Sequence, residues 1–363
     1  MTFQKLFSAL LIGTVAIAHT NTGHACTGIT LAPKDKSVVV ARTIEWSGSE
    51  MTSQYVIVPQ GYTQKSFVPG GQKDGLEFSA LYGYVGLAVE EPEYVVEGLN
   101  EAGLSAGLFY FPGYGQYQAY DPADNAETIS DFQLVSWILS RFSTIDQVQE
   151  AIKDVRVVGI DPRSSTVHWR IADFTGRQVV LEITGGVPHF YENTLGVLTN
   201  APGFEWQMTN LNNYVNLAPG TAGPTNIRNL HMTAFGGGSG MLGLPGDATP
   251  PSRFVRAAFY AATAVPQNTA YGAVMQAFHI LNNFDIPVGI QYPIDQVPTP
   301  MPSATQFTAV TDMTNRILYY RTMYNSVIRA IDLSKIDFGD VTYQTHPLDA
   351  IREQTVIQIT PDA

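Results

Sequence analysis

The sequence predicts an α+β layered fold, on three observations. Strand-like segments precede helical ones and strands follow again, without the regular βα alternation that builds a parallel sheet. Hydrophobic residues supply 45% of the 363 residues and charged residues only 14%, enough apolar surface for a large core. Beyond the leader there is neither a composition break nor an internal repeat, so residues 26–363 read as a single domain.

Residues 1–25 have the pattern of a secretory signal. Lys5 supplies the positive start, and Leu6 to Ala18 form an apolar stretch too short to span a bilayer comfortably. Gly23 and Ala25 are the small residues a signal peptidase prefers. Cleavage after Ala25 makes Cys26 the first mature residue and implies a periplasmic or secreted protein. CTGITL (Cys26 to Leu31) and the β-branched run Ser37 to Arg42 flank the turn APKDK and read as a β-hairpin. Tyr55 to Pro59 and Phe78 to Val89 continue the strands. Within residues 94–111, Asn100 to Gly103 form a turn between apolar runs. Residues 128–154 read as helical, with Ser143 capping a second helix. Strands resume at Val167–Asp173, Gln178–Ile183, His189–Tyr191 and Gly196–Thr199. Residues 216–250, rich in Gly, Pro and Asn, read as a surface excursion. Helices are expected at 252–264 and 270–282, then strands near 306–312, 316–321 and 325–331.

The formal charge of −12, from 20 basic and 32 acidic residues with no basic run, argues against a nucleic-acid or anionic-membrane binder. A single cysteine excludes an intramolecular disulfide and a Cys-rich zinc site. His168, His189, His231, His279 and His346 form no paired metal-ligand motif. Gly238, Gly240 and Gly243 satisfy GxGxxG but lead into LPGD rather than a helix, so dinucleotide binding is not expected. No metal or organic cofactor is implied. Beyond the leader no run approaches twenty uninterrupted apolar residues. The aromatics Tyr110, Phe111, Tyr114, Tyr117 and Tyr120 read as a packed rim, or, beside a nucleophile, as the wall of an apolar pocket.

An N-terminal cysteine is a chemical device. Its α-amine has a pKa near ~7.7–8.0 and its thiol near ~8.5, so one residue carries both a general base and a nucleophile. The amine can take the thiol proton and later return it to a leaving amine, with no histidine required. A thiolate also needs positive charge nearby. The hairpin could bring Arg42 and Glu45 back beside Cys26, the first lowering the thiol pKa and the second orienting the amine. The competing reading is an ordinary strand-end ion pair. A lipoprotein signal would also put a cysteine first and would cap its amine, leaving a lipid-anchored binding protein instead of an enzyme.

CTGIT, ARTIEW, the NEAGL turn before Tyr110, GVLTNAPGFEWQMTNLNNY and GLPGDATPPSRFVRAAF together resemble the choloylglycine hydrolase family. The resemblance runs from Cys26 to the late YYRTMYNSVIRAIDL segment. It implies a four-layer αββα fold of the N-terminal-nucleophile hydrolases and cleavage of linear amides, of conjugated bile salts or phenoxyacetyl penicillin. N-Acyl-homoserine lactones are an alternative substrate class. Position by position, Cys26 falls on the nucleophile and Arg42 on the arginine beside it. Asn200 falls on the side-chain oxyanion donor, Tyr110 on the backbone donor, and Arg253 on a second active-site arginine. Glu45 stands where the family usually has Asp. Residues 213–240 are as long as the segment that interlocks subunits in many members of the family this chain resembles, which suggests a homotetramer.

Overall fold

The computed structural model describes residues 25–46, 51–160, 165–297 and 304–361. Residues 1–24, all of the expected 1–25 signal except Ala25, therefore lie outside the described residues. The strand Ala25–Leu31 pairs antiparallel with Val39–Trp46 in the expected hairpin, setting Cys26 opposite Ile44 and Gly28 opposite Arg42. Ala304–Asp312, Ile317–Thr322 and Arg329–Asp332 extend this hairpin into a five-stranded sheet. A second sheet has eight strands in the order Val187–Glu192, Gln178–Thr184, Val167–Ala172, Ser105–Tyr110, Val95–Asn100, Tyr84–Val89, Ser53–Val58 and Gln344–Pro347. Three of its central strands, Val167–Ala172, Val95–Asn100 and Tyr84–Val89, are buried at every residue, the pattern of a sheet covered on both faces.

Helices form the outer layers. Leu134–Arg141 packs on the eight-stranded sheet, and Pro250–Thr263 and Ala270–Leu281 pack on the five-stranded sheet. The two sheets face each other, giving the order helices, sheet, sheet, helices. The α+β sandwich that the sequence predicts is thus what forms. Arg42 crosses the space between the sheets. The strands Val95–Asn100 and Ser105–Tyr110 pair only at Glu97–Leu99 with Ser105–Gly107. Arg42 reaches in from the facing sheet, its Nη1 donating to the carbonyls of Val96 (3.0 Å) and Leu108 (2.5 Å). Buried carbonyls need such donors.

Several local expectations shift. Residues 128–154 begin as a short strand, Thr128–Ser130, before the helices Leu134–Arg141 and Ile145–Ala151. The second helix is capped by Thr144, not Ser143, because Thr144 forms a reciprocal capping box with Gln147. Phe78 to Val89 divides into Glu77–Ser79 and Tyr84–Val89. At the division Gly83 lies so close to the Phe338 ring that a Cβ would sit 2.2 Å from it. Gly196 to Thr199 is not a strand and contributes one bridge, Leu198 to Gly28. The 216–250 excursion carries a small exposed hairpin, Thr225–Ile227 with Leu230–Met232.

Gly28 sets the approach of the two sheets. A Cβ there would lie 2.9 Å from the Phe109 ring, itself fully buried under the Arg42 guanidinium at 4.0 Å. Gly28→Val should therefore destabilise the protein by about 1–3 kcal/mol through overpacking. Urea denaturation measures this, and unchanged stability would show that the contact yields freely.

Candidate active site

Alternation along the hairpin decides what surrounds Cys26. Residues paired across antiparallel strands share a face, and successive residues take opposite faces. Cys26 and Gly28 thus share the inter-sheet face with Ile44 and Arg42, while Ala25 and Thr27 share the helix-side face with Thr43 and Glu45. The two candidate charged residues lie on opposite faces of one hairpin. They do not form the strand-end ion pair. Arg42 instead lies 3.8 Å from Glu97 in the other sheet, and Glu97 also pairs with Arg170.

Cys26 is 6% exposed, and its thiol is free. Its backbone nitrogen donates to Oδ1 of Asn200 at 2.8 Å. The bridge between Gly28 and Leu198, with bonds of 2.7 and 3.2 Å, brings the Asn200 segment alongside this edge strand. Arg253, near the start of the helix Pro250–Thr263, is buried and fully engaged. Its Nη1 donates to the Cys26 carbonyl and to Thr27 Oγ1 (2.9 Å), its Nη2 to Asn200 Oδ1 (2.7 Å), and its Nε to the Ala248 carbonyl (2.9 Å). Since Cys26 N–H and Arg253 are both obligate donors, the Asn200 atom between them must be the oxygen.

The Asn200 amide nitrogen therefore faces the other way and donates to the Tyr110 carbonyl at 2.7 Å. Phe111 N–H bonds Thr166 across the neighbouring strand at 2.8 Å. The next peptide groups along the strand point to the opposite edge. That turns the N–H of Tyr110, like its carbonyl, toward the Asn200 side. One Asn200 amide hydrogen is used by Tyr110, and the amide carries a second.

Glu45 is buried, with Oε1 accepting from Thr305 Oγ1 at 3.1 Å. Burial pushes its carboxyl up to about 7, with the charge of Arg253 holding it from rising further. Burial also pulls the Arg253 guanidinium down, opposed by Glu45 and Cys26. A cavity of about 300 Å³ lies beyond Thr305, lined in part by Asp285, Thr308 and Arg321, and does not include Cys26. Among the described residues no three His, Cys, Asp or Glu side chains gather as a metal site requires.

Residues 26–346 match the linear amide C–N hydrolases, choloylglycine hydrolase family. The chain belongs to that family. It is an amide hydrolase of choloylglycine hydrolase type. It is 31% identical over 316 residues to a bile salt hydrolase/transferase of Clostridium perfringens, covering 85% of this chain and 93% of that one. A penicillin V acylase of Pectobacterium atrosepticum is 24% identical over 343 residues, covering 88% of this chain and 83% of that protein. A solved variant of the conjugated bile acid hydrolase from Clostridium perfringens superposes with a TM-score of 0.80 at 28% identity, covering 92% of this chain and all of that one. Penicillin V acylase from Agrobacterium tumefaciens shares the fold, with a TM-score of 0.71 at 21% identity over 90% of this chain and 92% of that one.

For this choloylglycine hydrolase family member, Asn200 and Arg253 bond Cys26, Tyr110 accepts from Asn200, Arg42 lies opposite Gly28 on the face that Cys26 shares, and Glu45 lies opposite Ala25. Glu45 is brought to the opposite face. Sequence reading missed Thr27, Glu97, Arg170, His168, Glu182 and Thr305. Glu97, Arg170 and Glu182 did leave one signal, a charge inside an otherwise apolar strand run.

The raised Glu45 carboxyl has a consequence for stability. Between pH 4.5 and about 7 the folded state holds a proton on Glu45 that the unfolded chain has released, so stability falls as pH rises through that window. Glu45→Gln should flatten this slope, by at most about 1.4 kcal/mol per pH unit. Asp131 is likewise raised to about 7 by burial and adds the same slope to both proteins, so the difference between them is the test. Parallel melting-temperature profiles for the two proteins would contradict the assignment.

Proposed function

We propose that the mature protein begins at Cys26 and hydrolyses linear amides through a thioester acyl-enzyme. The observation that carries this is the bond between Cys26 N and Asn200 Oδ1, which ties the group that becomes the α-amine to the residue beside the reacting centre. The Cys26 thiolate attacks the amide carbonyl. The second Asn200 amide hydrogen and the Tyr110 N–H hold the oxyanion, where one such donor is typically worth about 10²–10³ in rate. The α-amine passes the thiol proton to the leaving amine as the C–N bond breaks. The same amine then takes a proton from water, whose oxygen attacks the thioester and releases the acid and the thiol.

Arg42 supplies positive charge on the thiol's face of the sheet, and Arg253 fixes the Cys26 carbonyl and Asn200. Glu45 lies opposite position 25 across the hairpin, which supports a role in orienting the amine once residues 1–25 are removed. A signal sequence implies cleavage after Ala25 and a periplasmic or secreted location. Conjugated bile salts are the first substrate class, on the 31% identity to a bile salt hydrolase/transferase. Penicillin V is the second, on Tyr110 at the oxyanion position. A homotetramer is proposed through residues 213–240, whose Ile227, Leu230 and Phe235 are exposed apolar side chains.

Cys26→Ser should retain less than about a tenth of the wild-type rate while melting normally, because the amine cannot deprotonate a hydroxyl comparably. A form that keeps a methionine before Cys26, verified by intact mass, should be inactive, and removing that methionine should restore it. Full activity with the methionine present contradicts the amine mechanism, and a mass that includes diacylglycerol would favour a lipid-anchored binding protein. Turnover of glycocholate, taurocholate, penicillin V and an acyl-homoserine lactone side by side ranks the substrate classes. Light scattering before and after deletion of the 225–232 hairpin tests the assembly.

A further inference from the structure

His168 and Glu182 stand on neighbouring strands of the eight-stranded sheet, Val167–Ala172 and Gln178–Thr184, and both are buried. Nδ1 of His168 lies 3.1 Å from Glu182 Oε1, and Nε2 lies 3.1 Å from the Thr199 carbonyl. A carbonyl can only accept, so Nε2 carries a hydrogen and donates it. The same Glu182 oxygen accepts the Phe204 N–H at 2.8 Å. The pair therefore grips both ends of the segment Thr199 to Phe204, and Asn200 sits next to the gripped carbonyl. The imidazole is itself fixed by stacking on Phe111, with centroids 4.4 Å apart and planes 7° apart.

We propose that His168 and Glu182 are positioning residues that set the Asn200 side chain against Cys26 and Tyr110. The inference rests on the amide-hydrolysis reading of the Cys26 site and names a part of the machinery that reading does not contain. Neither residue bonds Cys26, so their effect passes through Asn200. The backbone they hold is irregular: its other ties are the Leu198 bridge just before it, Thr199 Oγ1 donating to the Pro250 carbonyl at the start of a helix (3.1 Å), and the bonds of the Asn200 side chain that is to be positioned. Without the grip, the Thr199 carbonyl and Phe204 N–H lose buried partners and the segment must move to regain them. A displacement near 1 Å at a reacting centre lowers rate by about 10²-fold.

The test is a double-mutant cycle on the full mature protein, with glycocholate and penicillin V as probes. His168→Leu should lower kcat by about 10- to 100-fold with KM changed less than about 3-fold, the signature of a misplaced catalytic group rather than a lost binding contact. His168→Gln, whose amide can donate to Thr199, should recover most of the loss. In the Asn200→Ala background, His168→Leu should cost nothing further, because residues acting through one another are not additive. Full additivity, or an unchanged kcat in folded His168→Leu, overturns the proposal. If His168→Leu does not fold, the cycle is run with Glu182→Gln, which keeps the Phe204 acceptor, and additivity there overturns it equally. Wild-type hydrolysis that survives Cys26→Ser would sink the catalytic reading and this inference together; Cys26-dependent hydrolysis indifferent to positions 168 and 182 sinks this inference alone.

Discussion

The side-chain oxygen of Asn200 accepts two hydrogen bonds, from the Cys26 nitrogen and from Arg253, and the geometry of the site follows from that pair. Because both partners are donors, the amide nitrogen is forced toward Tyr110, where it meets a carbonyl. One side chain thereby joins the edge of the five-stranded sheet, a helix packed on its outer face, and the end of a strand in the facing sheet. Cys26, Asn200 and Arg253 are buried, where each bond is stronger than in water and each missing partner more costly. Arg253 adds rigidity by donating to the Cys26 carbonyl and Thr27 Oγ1 as well, so Cys26 and Asn200 are referred to the same guanidinium.

The period of the strand explains why two charges from one hairpin have different surroundings. Arg42 and Glu45 are an odd number of residues apart, so the sheet separates them. Arg42 is turned inward, where carbonyls of two diverging strands and the Glu97 carboxylate receive it. A buried guanidinium without such acceptors would be strongly unfavourable. Its position is therefore held by the fold as much as by any need of the thiol. Glu45 is turned toward the helix layer, where burial raises its carboxyl and Arg253 partly compensates.

Local chemistry was readable in the sequence, and long-range pairing was not. The hairpin from Cys26 and the Asn100 turn announce themselves by β-branched runs and turn residues close together in the chain. Asn100 holds its turn with its own side chain, Oδ1 accepting from Ala102 N and Leu104 N. Cys26 and Arg42 could be selected by reasoning about thiols, whereas Asn200 and Arg253 stood out only through family resemblance. Asn200 lies 174 residues from the nitrogen it binds, in a segment whose strand-like VLT makes a single bridge. Glu97, Arg170, His168 and Glu182 were invisible as partners because each looks like an isolated polar residue in an apolar strand, and only the sheet order brings them together. The Ser143 cap failed for a smaller reason: Thr144, one residue later, has Gln147 at the spacing a capping box needs.

The same commitments bear on which group can act as base. His168 stacks on Phe111, packs edge-on against Phe109 at 6.2 Å, and is bonded to the carbonyl next to Asn200, so it borders the site more closely than its role would require if it only filled space. Yet both ring nitrogens are spent, one on Thr199 and one on Glu182, and neither can accept a proton from Cys26 without breaking a buried bond. Glu45 is on the wrong face of the hairpin to reach the thiol, and Glu97 is enclosed by two arginines. In the proposed mechanism the base is the nitrogen of Cys26 itself, which Asn200 holds. A peptide nitrogen has no basicity to offer, so the proposed mechanism requires the bond before Cys26 to be cut before the thiol is activated, and under that proposal cleavage after Ala25 is the step that turns a folded site into a catalytic one.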